Sequence, residues 1–431
     1  MQHRYDWKWI EEQAAEVAAV WKNCRWAVFP GTGGFTDEQQ KEREHAYDAA
    51  LSAVEAELRV CSASAAECDP MRERLVSAFG LFSARALDLQ QDAIDILTRE
   101  FLPVGTELAQ WARRFDSALS MPDIIQACRN AWTACGLQPL MGEPIGLTPA
   151  ILGYSLLYPY SDNYLDDEAI TAEDKLRFSS RFRSRLKGAT PPTEDFRERA
   201  MWTLVSMIET QYPRAQYPQV FECLLAIHRA QEESIGQVRE SHAGDDGNCL
   251  EVSCAKGGSS VLTDACLAHG FLNEEESRFA FEWGVLLQLG DDLQDVREDL
   301  NRGSFTLFST AAATGELLDG LTIQLLNFSE RVWERMKQLP HGTPSYRELM
   351  KMSWRSLILR AVAESHEFFS TGFLKEAERH SPFRFAFLRA RNERLARRQG
   401  LYATLFGALL EPEQHGSGSL ANNEQMQQLT F

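Results

Sequence analysis

Two stretches of this sequence place carboxylates at helical spacing directly behind apolar runs. One is Tyr160-Ser161-Asp162-Asn163-Tyr164-Leu165-Asp166-Asp167; the other runs from Leu286-Leu287-Gln288-Leu289-Gly290 through Asp291, Asp292 and Asp295 to Asp299. At about 3.6 residues per turn, Asp162 and Asp166 point the same way, as do Asp291, Asp295 and Asp299, with Asp292 on a neighbouring stripe. Like charges stacked one turn apart destabilise a helix, so a bound cation is the natural partner of such a face. An oxygen-only ligand set, without His or Cys, selects a hard ion. Mg²⁺ fits, since it takes a few carboxylates and completes its shell with water and substrate phosphate.

A third stretch bears on the same chemistry. Ala255-Lys256-Gly257-Gly258-Ser259-Ser260 sets a lysine beside two glycines ahead of an apolar run. If it opens a helix, it offers an anion both an ammonium and free backbone N–H groups. Other polar features read as structural. The basic run Lys175, Arg177, Arg181, Arg183, Arg185 and Lys187 reads first as a solvated helix face and second as arginines that close over a phosphate. His228 reads as a hydrogen-bonded core histidine. Asp245-Asp246-Gly247-Asn248 reads as a turn, because it lacks the spacing of a calcium loop. Phe29-Pro30-Gly31-Thr32-Gly33-Gly34-Phe35 reads as a plain loop, with neither the Gly-Lys-Ser/Thr nor the preceding strand of a phosphate loop.

The elements that must carry these residues are helices. Trp7, Ile10, Ala14, Val17 and Trp21 share one face of an opening amphipathic helix, and Ala50, Leu51, Val54 and Leu58 repeat the pattern within 37 to 60. Helical patterns also cover roughly 71–85, 89–100, 105–117, 122–136, 194–210, 219–240, 315–338, 344–371 and 374–408. Strand-like alternation is scarce, so the expected fold is all-α.

A chain of 431 residues, 44% hydrophobic and 25% charged, has the composition of a globular protein. Its net charge of −18 argues against nucleic acid and anionic membranes as main partners. It also repels a phosphate-bearing ligand unless bound cations reverse the field locally. Nine cysteines without a Cys-x-x-Cys pair read as reduced thiols. With no signal-like start and no apolar run of about 20 residues, the expected location is the cytoplasm.

The acidic stretches resemble the two aspartate-rich motifs of class I isoprenoid synthases. Asp162-Asn163-Tyr164-Leu165-Asp166-Asp167 is similar to the first. The segment from Gly284 to Asp299, with Arg302-Gly303 after it, is similar to the second, most closely that of squalene and phytoene synthases. Asp291-Asp292-Leu293-Gln294-Asp295 equally fits the DDxxD of trans-prenyltransferases, and Lys256 sits where those enzymes carry a diphosphate-binding lysine. The resemblance spans 145 to 400. It lacks the tyrosine-rich segment of squalene and phytoene synthases and the Arg-Arg-Gly of chain-elongating enzymes.

It implies a helical bundle around an apolar cavity over residues 121–411; it does not cover the helical extension over 1–120, whose role is unassigned, and the segment 412–431, rich in Gly, Ser and Gln, reads by composition as a disordered tail. It further implies a prenyl diphosphate substrate and several Mg²⁺ ions on Asp162, Asp166, Asp167, Asp291, Asp292, Asp295 and Asp299. Asp162, Asp166, Asp291 and Asp295 are the expected catalytic carboxylates, and Lys256, Arg229 and Arg239 the expected diphosphate ligands. Aromatic faces such as Tyr154, Tyr158, Tyr164 or Trp283 would stabilise an allylic cation. A terpene synthase of an atypical kind is the leading expectation and a prenyl-condensing enzyme the second. A noncatalytic helical scaffold descended from the fold is the third. The assembly is open, a homodimer included.

Overall fold

The computed structural model describes residues 5–24, 29–30, 33–61, 68–167, 169–240 and 246–397, and every element in them is helical. The side chains of Asp166 and Arg239, and the whole of the 412–431 tail, lie outside the described part. The chain begins with α1 (Trp7–Asn23), α2 (Asp37–Cys61), α3 (Cys68–Ala86), the short α4 (Gln91–Asp95) and α5 (Leu102–Phe115). The helix expected over 89–100 is α4 running on into a π-type turn, Ile96–Phe101.

The middle of the chain forms α6 (Met121–Leu137), α7 (Pro149–Asp166), α8 (Ala172–Leu186), α9 (Phe196–Gln211) and α10 (Pro218–Glu240). The long pair α11 (Asp246–His269) and α12 (Glu274–Gln294) follows. The last part comprises α13 (Val296–Arg302), α14 (Leu307–Ala313), α15 (Asp319–Gln338), α16 (Pro344–Glu364), α17 (Thr371–Arg379) and α18 (Phe385–Ala396). The single helix expected over 374–408 is therefore broken. Pro382 carries no N–H for a helix, and the Ser381 hydroxyl turns the chain by bonding the backbone of Phe383.

Polar side chains define many of the starts. Thr148 caps α7 and Thr171 caps α8, each accepting a backbone N–H, and Asn273 with Glu276 forms a capping box on α12. Packing then assembles the helices around α11, which touches α1, α6, α7, α10, α12 and α14. Its contact with α12 is the most extensive helix pair. Glycines explain how close that pair comes. A Cβ on Gly284 would overlap the Gly257 carbonyl, one on Gly257 would overlap Gln288 and the Gly284 carbonyl, and one on Gly258 would enter the Phe281 ring.

Helices α1 and α5 share this core. Ile10, Ala14, Val17 and Trp21 of α1 are buried as the periodicity predicts, Ala18 is buried with them, and Trp7 of the expected face is half-buried. They join α5, α6 and the later helices in one hydrophobic cluster. Trp9 meets Phe281 edge-on and Trp21 meets Phe328, while the Tyr5 hydroxyl bonds Ser277. At the far end of the chain α18 and the turn before it lie along α2 through Arg384–Glu44, Arg391–Asp48 and Arg394–Glu55 ion pairs. Cys24, Cys128, Cys135, Cys223, Cys249, Cys254 and Cys266 are free thiols.

Candidate functional site

The second acidic stretch builds a pocket. Helix α12 ends at Gln294 and α13 begins at Val296, with Asp295 at the junction. The backbone nevertheless keeps its one-turn ladder, Asp295 N–H to Asp291 C=O at 2.8 Å and Asp299 N–H to Asp295 C=O at 2.9 Å. Asp291, Asp295 and Asp299 therefore stay on one line and, with Lys256 facing them from α11, border a pocket of about 200 Å³. Ser304, Phe305 and Thr306 of the loop after α13 close its other side. Gly303 allows that loop to turn, its φ of +68° being a left-handed conformation that glycine tolerates best.

The electrostatics match a crowd of like charges. Asp291 and Asp295 are held above the ordinary carboxylate range, first by desolvation, with a neighbouring carboxylate adding to it (Asp295 for Asp291, Glu298 for Asp295). Asp299 is pushed up to about 6 by burial and by Asp295. Asp291 presents surface to the pocket yet sits in a recess dense with protein atoms, so it is wet and poorly solvated together. Lys256 opposes these shifts on Asp291, Asp292 and Asp299. Asp292 differs. It is buried, accepts from the Ser253 hydroxyl at 2.8 Å and the Gln288 amide at 2.7 Å, and burial pushes it up to about 6. Its carboxylate ties α12 to α11.

Lys256 requires a correction. It stands well inside α11, which starts at Asp246, so the neighbouring N–H groups are spent in the helix ladder. Gly257 and Gly258 serve the approach of α12. They bring the lysine to the acidic pocket by packing, and the anion-binding helix start read from the sequence is absent at this position.

The first acidic stretch is carried by α7. Helix α7 packs mainly on α9 and α6 and touches α11. Asp162 accepts from the Ser161 hydroxyl at 3.1 Å and from the Gln231 amide at 3.4 Å. Asp167 is exposed and caps the turn after α7 by accepting the Ala169 N–H at 2.8 Å. Neither borders the pocket of Asp291. Arg229 also points away, pairing with Glu233 at 3.0 Å and stacking over Trp7 at 4.5 Å. The basic run of α8 is engaged by carboxylates: Arg181 by Glu198, Arg183 by Glu232 and Arg185 by Glu209. Among the described residues no three carboxylate, imidazole or thiol side chains converge tightly enough to hold a metal ion.

Of the aromatic candidates, Tyr154 and Tyr158 line an apolar pocket between α7, α8 and α10 that also holds Leu157, Phe182 and Ile227. Its volume is only about 20 Å³, room for one water. Tyr164 is covered by the Arg197 guanidinium at 3.9 Å, and Trp283 stacks on Phe279. His228 is buried and bonded to Ser179, as a core histidine should be.

Arg129 is the residue the sequence did not reveal. It projects from α6 and its charge lowers the proton affinity of both Asp291 and Asp295. Nothing near it in sequence marks it, because α6 meets the acidic face only through the tertiary fold. Ser253 and Gln288 were more accessible to reasoning, one turn from Lys256 and Asp292 respectively on their own helices. Comparison with protein-family models, curated proteins and solved structures finds no match to this chain.

Proposed function

We propose that the protein is a Mg²⁺-dependent isoprenoid synthase that ionises a prenyl diphosphate, most simply as a terpene synthase. The observation that carries this reading is the pocket itself, with Asp291, Asp295 and Asp299 on one line facing Lys256. Its donor chemistry fits Mg²⁺, since all three are carboxylate oxygens and a hard ion leaves the rest of its shell to water and phosphate. One or two of Asp291, Asp295 and Asp299 would hold each ion, with water and phosphate oxygens filling its shell, and the metal would supply Lewis-acid stabilisation of the charge on a departing diphosphate. Lys256 and Arg129 bind that diphosphate and orient it toward the carboxylate face. Tyr154 and Tyr158 offer ring faces in the apolar pocket, where water must be kept from an allylic cation. Admitting a prenyl chain there requires neighbouring side chains to move.

That same closure favours a second reading, a noncatalytic helical scaffold. One assay separates them. The protein is incubated with Mg²⁺ and geranyl, farnesyl or geranylgeranyl diphosphate, one at a time. A hydrocarbon or alcohol of unchanged carbon number supports the terpene synthase. Product only after isopentenyl diphosphate is added, or of doubled carbon number, moves the assignment to condensation. Release of no diphosphate from any substrate leaves the scaffold. Binding of inorganic diphosphate, followed calorimetrically, gives an independent readout: Lys256→Ala and Arg129→Ala should each weaken it about tenfold, near 1.4 kcal/mol, with unchanged melting of the free protein.

A further inference from the structure

A larger, open cavity of about 960 Å³ is lined by Phe29, Pro30, described residues between Gly33 and Arg43, and residues of α15, α16 and the end of α17. It shares no lining residue with the acidic pocket. Arg43, Lys351 and Arg355 contribute three cations to its wall, against the carboxylates of Glu330 and Asp88. Glu330 is shared by Lys351 at 2.7 Å and Arg355 at 3.5 Å, and Arg43 reaches Asp88 at 3.3 Å. Among these described lining residues one positive charge is in excess, within a chain of net charge −18.

Arg355 is the most informative of the three. Its guanidinium donates to the Pro30 carbonyl at 3.1 Å, while burial lowers its proton affinity and Glu330 only partly offsets that. A guanidinium has five N–H donors in a planar fork, suited to paired oxygens of a phosphate. Beside these cations are aromatic rings that line the same wall, one face of each already stacked or covered. The Phe29 ring lies parallel to the His380 imidazole, centroids 4.5 Å apart, and Phe35 lies beneath Arg43 at 4.9 Å. Volume, charge and flat surfaces together describe a small-molecule site.

We propose that this cavity binds a phosphorylated ligand with a planar ring, of the nucleotide type, with Lys351 and Arg355 on the phosphate and Phe29 with His380 against the ring. The site stands apart from the isoprenoid reading and does not depend on it. The test is calorimetric titration of the full-length protein in EDTA, so that no divalent cation bridges phosphate to the acidic pocket. The probes are adenosine 5′-monophosphate, phenyl phosphate and inorganic phosphate. Adenosine monophosphate should bind saturably below about 1 mM. Lys351→Gln and Arg43→Gln should each weaken it several-fold, and Phe29→Leu should weaken it while sparing inorganic phosphate. Arg355→Gln should weaken it most; if that variant melts early, Lys351→Gln and Arg43→Gln decide. No saturable binding of any probe, wild-type affinity in Lys351→Gln and Arg43→Gln, or equal affinity for adenosine monophosphate and inorganic phosphate would each overturn the proposal.

Discussion

Asp292 and its neighbours occupy adjoining positions but different environments, and their substitutions should separate accordingly. Asp291, Asp295 and Asp299 crowd one face, so Asn at any one of them relieves repulsion. Each variant should melt at or above the wild-type midpoint in EDTA, while losing turnover by orders of magnitude if the proposed chemistry holds. Asp292→Ala should do the opposite to stability, costing about 1–3 kcal/mol, because Ser253 and Gln288 lose their buried acceptor. The pH dependence has a definite sign. Asp292 and Asp299 both stand near 6 in the fold, against about 3.9 in an unfolded chain. Between those values the folded protein holds more protons, so their contribution to stability falls as pH rises from about 4 to 6. The Asp292→Asn/Asp299→Asn double variant lacks that loss. Its midpoint relative to wild type, measured by thermal melts in EDTA, should therefore be higher at pH 7.5 than at pH 4.5.

At the scale of the helix, the α11–α12 pair rests on facing glycines. Gly284→Ala and Gly257→Ala should each lower stability by at least 1–3 kcal/mol through overpacking, read as an earlier denaturant midpoint. Gly320→Ala is the control, since a Cβ there meets nothing within 4 Å. This contact also marks where the sequence could be read and where it could not. Apolar residues at helical spacing revealed α1 down to its buried face, because a 3.6-residue period is a local property. The acidic line of Asp291, Asp295 and Asp299 was legible for the same reason, and it survives even the break at Asp295. Gly257 and Gly258 misled, since a helix start and a close helix crossing both call for residues without a Cβ. The break at Pro382 was passed over in a long helical pattern. Arg129 had no local sign at all, being brought to the site by α6.

The whole molecule depends on its first helix more than a peripheral extension would. Tyr5, Trp9 and Trp21 are built into the surfaces of α11, α12 and α15. Removal of residues 1–36 should therefore leave a protein that retains helical far-UV dichroism but loses its near-UV signal and binds hydrophobic dye. A truncated protein with wild-type near-UV dichroism would show α1 to be dispensable. The main-chain contact between Gly257 and Gly284 carries one more consequence, for time rather than energy. Where backbone meets backbone, no side chain can rotate to let the helices part, so amide hydrogens around these glycines should exchange only when the whole protein unfolds. Amides in the Ser304–Thr306 loop should exchange orders of magnitude sooner. That loop walls the acidic pocket, so the arrival of a ligand there should be seen first as slowed exchange in the loop.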